Sequence, residues 1–414
     1  MHILPYMLPV LLTASAASIA RSKTEHVEDI MVYLDGPTAD GSAGIGVELE
    51  SPFFKFAHPG CSMDNTNAAK KAVVDKRRGT NWLLTADTGV DPGKLNAEFI
   101  FDGQKIKVGT GELAKAGKAA ADDLVKWYPW QKPQTEVQIE NNKCNPWKIT
   151  SPTIKDKPEN VPWDPQVTAP MPLEALYSIM QMHSSNKAHV LNGIMLRTDY
   201  FILVTKTYFT AVKEINQAAL SDDVLAFCSL VLSYAKSLDG KPLKPDESPK
   251  LRTPFMPRND FVTLYNQVES KLKGIPLLPL FEKLACYKVS AGRLALDKKF
   301  CAGTAKAPVP NKEFAGLTFK NTAAKSAAAT LTVKDWIDGI ADKKDLLTSF
   351  DKTIDGSIGG LGSKTEKIYQ GTRNVPLFEF RDLKDIKTSE IEKFMTDVDK
   401  AVQDLHKKYK DAPK

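Results

Sequence analysis

Two periodicities divide the chain. Before residue 144 the apolar positions alternate, with short β-prone runs at Met31–Leu34, Gly46–Glu50, Phe53–Phe56 and Trp82–Thr85, separated by clusters of Gly, Pro and Asp. Ala97–Phe101 and Lys105–Val108 flank Asp102-Gly103, the turn chemistry of a two-residue hairpin. One helix is expected there, with Leu113, Ala116, Ala120, Leu124 and Trp127 on one stripe and Pro129 as its stop. Val137 and Ile139 suggest a last strand.

After residue 172 the period lengthens to that of a helix. Leu173, Leu176, Tyr177, Met180 and His183 mark one, and Ser221 with Asp222 and Asp223 caps another. Thr332 with Asp335 opens a third. Ser389 with Glu392 forms a capping box ahead of a stripe through Ile391, Phe394, Val398, Val402 and Leu405. Between the two regimes, residues 144–172 hold seven prolines, a density that argues against continuous helix or central strand. The predicted fold class is therefore α+β: a small β-rich domain with one helix over 21–143, a proline-rich linker over 144–172, and a larger all-α domain over 173–414.

The helical region contains an echo. Ile194-Met195-Leu196-Arg197-Thr198-Asp199-Tyr200 matches Phe255-Met256-Pro257-Arg258-Asn259-Asp260-Phe261, and each copy is followed by an apolar helix carrying a cysteine, Cys228 or Cys286. Two related helical hairpins would explain the spacing. Thr198 and Asn259 suit helix N-caps and the aspartates suit first turns. A functional reading places Arg197, Asp199, Arg258 and Asp260 around one polar binding cleft.

Residues 1–20 change the picture most. An apolar run through Ile3–Val10 and Leu12 fades into small residues ending at Ala20, the profile of a secretory signal peptide, and it is too short for the roughly 20 residues of a spanning helix. Secretion places the five cysteines in an oxidising compartment, where Cys286 is expected to pair with Cys301 and Cys61 with Cys144. Cys228, inside an apolar helix, is the expected buried thiol. No membrane span is expected after cleavage of the signal.

Charge and motifs exclude more than they assign. The net charge of +6 is spread along the chain, with no basic block longer than Lys76-Arg77-Arg78, so nucleic acid is not an expected partner. The glycine-rich run 356–362 ends in Ser363-Lys364-Thr365, but a phosphate loop needs Lys directly after its last Gly. No Cys or His spacing suits a metal, and no cofactor is expected. Asp87-Thr88-Gly89 matches the aspartic-protease triplet, but the second copy that such an enzyme needs does not occur. His26 and His406 are expected near exposed termini, leaving His58, His183 and His189 as possible bases.

The layout of leader, β-rich segment with Gly79-Thr80-Asn81-Trp82-Leu83-Leu84-Thr85-Ala86-Asp87, proline-rich stretch and a helical part carrying Met256-Pro257-Arg258-Asn259-Asp260-Phe261 resembles secreted proteins of filamentous fungi with no assigned activity. The resemblance supplies no catalytic residues. The expected function is a secreted, noncatalytic protein that binds a protein or surface partner, such as a host-interaction or wall-associated factor. The alternatives are an extracellular hydrolase whose acidic residues converge only in the fold, and a small-molecule binding protein.

Overall fold

The computed structural model describes residues 42–87, 91–128, 136–151, 157–185, 191, 201–210, 212, 215–239, 253–290, 293–319, 330–347, 362–381 and 383–410. The expected signal peptide, His26, the run Met31–Leu34 and the glycine-rich run 356–361 lie outside these residues, as do His189, Arg197 and Asp199.

The expectation of a β-rich domain followed by an all-α domain is overturned by one antiparallel sheet that draws strands from both sides of the proposed linker. Its members are β1 (Gly46–Ala57), β2 (Val73–Arg78), β3 (Trp82–Asp87), β4 (Lys94–Phe101), β5 (Glu136–Val137), β6 (Trp147–Ser151), β7 (Pro162–Pro170) and β8 (Phe255–Pro257). Hairpins β9 (Tyr287–Ser290) with β10 (Arg293–Leu296), β11 (Cys301–Thr304) with β12 (Ala307–Pro310), and β13 (Glu366–Lys367) with β14 (Asn374–Val375) stand apart from it. β15 (Leu377–Phe380) and β16 (Ile386–Lys387) complete a 10-stranded sheet whose main order is β2-β3-β4-β1-β7-β15-β8.

The proline-rich stretch thus supplies a central strand. β7 pairs with β1 on one flank and with β15 and β16 on the other. It tolerates three prolines because of where they fall. Pro162 opens the strand, Pro170 ends it, and Pro165 lies between the registers to β16 (through Trp163) and β15 (from Val167), where that flank has no paired residue. Trp147 and Trp163 are fully buried, and the Trp163 indole donates to Thr388 Oγ1 at 2.8 Å.

The two expected strands 46–50 and 53–56 are one bent strand. Ser51 makes the bend: its Oγ donates to the Pro162 carbonyl at 2.8 Å and accepts from the Phe53 and Phe54 amides, where the register to β4 shifts. The hairpin expected at Asp102-Gly103 does not form. β4 is already paired on both edges, by β1 and β3, so the chain turns away, with the Lys105 and Ile106 amides on the Asp102 carbonyl.

Helices pack against this sheet and against one another. α1 (Met63–Asn67), α2 (Glu112–Val125), α3 (Leu173–Ser184), α4 (Asp222–Lys236), α5 (Phe261–Asn266), α6 (Glu269–Leu272), α7 (Leu277–Ala285), α8 (Glu313–Gly316), α9 (Val333–Ala341) and α10 (Ile391–Tyr409) follow in chain order. The inward residues Val47, Leu49, Leu84, Ala97, Phe99, Val167 and Phe378 share one apolar core with α2, α3, α4 and α10. α10 lies against α2 where Gly117 leaves room: a Cβ there would sit 2.8 Å from Met395 Cγ. α4 is buried on nearly every side from Asp223 to Ala235, which explains its unbroken apolar run. Thr332 caps α9 as expected, its Oγ1 accepting from the Asp335 amide at 3.0 Å. Ser221 is the N-cap residue of α4 as expected, but its hydroxyl binds the Asp223 carboxylate and not a helix amide. A single 3-10 turn, Thr388–Glu390, precedes α10, so the glutamate reaching back to the chain is Glu390, on the Lys387 amide, and not Glu392.

Disulfides join Cys61 to Cys144 and Cys286 to Cys301, and Cys228 is a buried free thiol. Among the described residues no helix is long and apolar enough to cross a membrane.

Candidate functional site

The face of the sheet opposite the core carries a polar patch beside a small buried apolar cluster of Val73, Leu83 and Ile100, and alternation dictates the residues of that patch. In Gly46-Val47-Glu48-Leu49-Glu50 the valine and leucine point into the core, so Glu48 and Glu50 point out; in Leu95-Asn96-Ala97-Glu98-Phe99 the same rule turns Asn96 and Glu98 outward. On β3, Thr85 and Asp87 face the same way. Register gathers them: Glu50 stands opposite Glu98, Glu98 opposite Thr85, and Asn96 opposite Asp87. Four carboxylates from three strands therefore share one patch.

Among the described residues, a single ammonium sits within this patch. Lys71 follows α1 in a left-handed conformation (φ 62°), and its amide donates to the Ala86 carbonyl at 2.6 Å, pinning it over β3. Its Nζ lies 2.7 and 2.8 Å from the two Glu98 carboxylate oxygens, 3.5 Å from Asp87 and 3.7 Å from Glu48. Thr85 Oγ1 donates to Glu98 at 3.2 Å, and Asn96 Nδ2 donates to Glu50 at 2.8 Å.

Burial grades the patch. The Glu98 side chain is 1% exposed, whereas Asp87, Glu48 and Lys71 keep 14%, 24% and 28% of theirs in solvent. Burial, with Asp87 and Glu48 nearby, pushes the Glu98 carboxyl well up despite Lys71, and burial raises Glu50. Burial opposes the charge on Lys71, but Glu48, Glu98 and Asp87 together hold its ammonium well above the ordinary range. Among the described residues the patch holds more carboxylates than ammonium groups, and Glu48, Glu50 and Asp87 are its partly exposed carboxylates. Among the described residues no group of three or more His, Cys, Asp or Glu is arranged to hold a metal ion.

The residues expected to form a cleft behave otherwise where they can be seen. Asp260 is the N-cap of α5, accepting from the Thr263 amide at 2.6 Å, so the cap is Asp260 and not Asn259. Asn259 is a buried brace, donating to the Lys364 carbonyl and accepting from the Leu377 amide. Arg258 is buried 3.4 Å from Glu379, a carboxylate that Arg381 also binds. The second motif thus forms an edge strand and a cap. Arg197 and Asp199 lie outside the described residues.

The described histidines are structural. His406, expected near an exposed terminus, is fully buried: Nδ1 accepts from the Tyr369 amide at 3.1 Å, Nε2 donates to the Pro170 carbonyl, and burial lowers its pKa to about 4. His183 packs between Phe201 and Phe255, and His58 against Trp147. Asp87, noted for its triplet, belongs to the Lys71 patch. Glu48, Glu50 and Glu98 escaped notice because alternation shows which way each points but not which strands become neighbours. No family model, curated protein or solved structure matches the chain.

Proposed function

We propose that this chain is an extracellular, noncatalytic binding protein whose recognition surface is the partly exposed carboxylate patch around Lys71, and that its partner presents a cationic segment such as a run of lysines or arginines. The observation that carries this reading is the excess of carboxylates over the one resident ammonium, with Glu48, Asp87 and Glu50 left partly in solvent. A second ammonium or guanidinium placed there neutralises charge that Lys71 alone does not. The chain as a whole carries +6, so attraction of a cation to this face is local and opposed by the rest of the surface. The disulfides and the apolar leader support an extracellular setting, which suits a host-interaction or wall-associated role.

One observation favours a second reading. Glu98 is pushed toward its protonated form beside carboxylates that share its patch, the pairing of acid and base on which glycoside and peptide hydrolysis rest. The two readings separate in one experiment: titration calorimetry of the secreted chain with a short lysine-rich peptide and with a serine-rich control. Saturable binding of the lysine peptide, unchanged on recovery, supports the binding protein. Cleavage of the peptide supports the enzyme, and no heat with either peptide contradicts the binding reading.

A further inference from the structure

A cavity of about 350 Å³ lies away from the acidic face, between the start of α4, the α5–α6 junction and the turn after β13. Its deep wall is charged but closed. Asp223, 2% exposed, takes Lys271 Nζ at 2.6 Å on one oxygen and the Ser221 hydroxyl and Val224 amide on the other. Arg373 is held by both oxygens of Glu174 at 3.1 Å each. Each charge is therefore balanced within the wall, and a charged ligand would face no net opposite charge.

The outer wall is of another kind. Gln267, Ser270, Thr372 and Asn374 line it with amide and hydroxyl groups, and their side chains make no hydrogen bond to other described residues. Each amide offers a donor and an acceptor side by side, which together can receive a pair of neighbouring hydroxyls of a sugar ring, one accepting and one donating. The volume is at the lower end of ligand sites and admits one such ring. Asn266, the remaining amide, is committed to Lys343 at 2.6 Å.

The geometry points to a binding site for a neutral saccharide unit, independent of the acidic face. No aromatic platform lines the cavity, so recognition rests on hydrogen bonds and affinity falls in the millimolar range, a Kd of about 1 mM or weaker. The test is saturation-transfer NMR on the intact chain with the methyl glycosides of glucose, mannose, galactose and N-acetylglucosamine, repeated on Gln267→Ala/Asn374→Ala. The side chains of Gln267 and Asn374 are free, so the double variant is expected to fold. At least one neutral glycoside should bind, and the double variant should weaken it by about 10-fold or more while lysine-peptide binding is unchanged. Absence of binding by all four glycosides, or binding that survives the double substitution, overturns the assignment.

Discussion

The Lys71 ammonium meets both carboxylate oxygens of Glu98, at 2.7 and 2.8 Å, although the two residues come from different elements and 27 positions apart. Glu98 is buried and could not hold a charge there alone. Lys71 is thus the residue that permits an acidic patch on this face.

Replacing Lys71 by Met should destabilise the chain by about 2–4 kcal/mol at neutral pH, because it leaves Glu98 buried beside Glu48, Glu50 and Asp87 without a counterion. In that variant the Glu98 pKa, already raised in the native chain, rises further, so the folded state binds its proton more readily and the deficit should shrink as pH falls from 7 toward 4. Urea unfolding of both proteins at the two pH values measures it. A pH-independent deficit would mean that packing, not charge, is lost.

His406 predicts a second pH effect, of the opposite sign. Its imidazole is depressed to about 4, from an ordinary value near 6.5, so its contribution is full above pH 6.5 and is lost as pH falls through 4. The shift corresponds to about 3 kcal/mol. His406→Gln should flatten the stability curve over this window, measured by thermal unfolding between pH 4 and 7.

The two disulfides should differ in worth. In the chain-entropy account, closing the separation of 83 residues between Cys61 and Cys144 contributes about 4.5 kcal/mol, against about 3 kcal/mol for the 15 residues between Cys286 and Cys301. Serine pairs at each bridge, compared by urea unfolding, should lose stability in that order. Cys228, whose thiol burial pushes well up, should react with a thiol reagent only after unfolding.

Asn259→Ala should cost about 1–3 kcal/mol, because it strips the Leu377 amide at the β15 end of its acceptor. Hydrogen exchange should show the loss as faster exchange at Leu377.

Local physics was legible in the sequence and long-range register was not. The alternation in Gly46–Glu50, the stripe of α2 and the cysteine pairs follow from neighbouring residues or from compartment chemistry, and the helix over 173–184 starts where its period begins. The proline density of 144–172 misled, because a proline is harmful in a strand only where its missing N–H would have faced a partner strand, and for Pro165 that depends on where β15 and β16 pair, more than 200 residues away. The repeat around Arg258 misled for the same reason: Phe255-Met256-Pro257 reads as a helix entry but serves as the edge strand beside β15. The Lys71 patch needed the β1–β4 and β3–β4 registers together, and Lys71 itself enters from a left-handed residue no pattern announces.

The central claim is that the partly exposed carboxylate patch receives a cationic partner, and the most direct test is the dissociation constant of a lysine-rich peptide for the native chain and for Glu48→Gln/Glu50→Gln/Asp87→Asn, with folding of both checked by circular dichroism. Glu98 and Lys71 are kept, so the buried pair survives. The account predicts saturable binding that weakens with salt and falls about 10-fold or more in the triple variant. Equal affinity in the two proteins would contradict it.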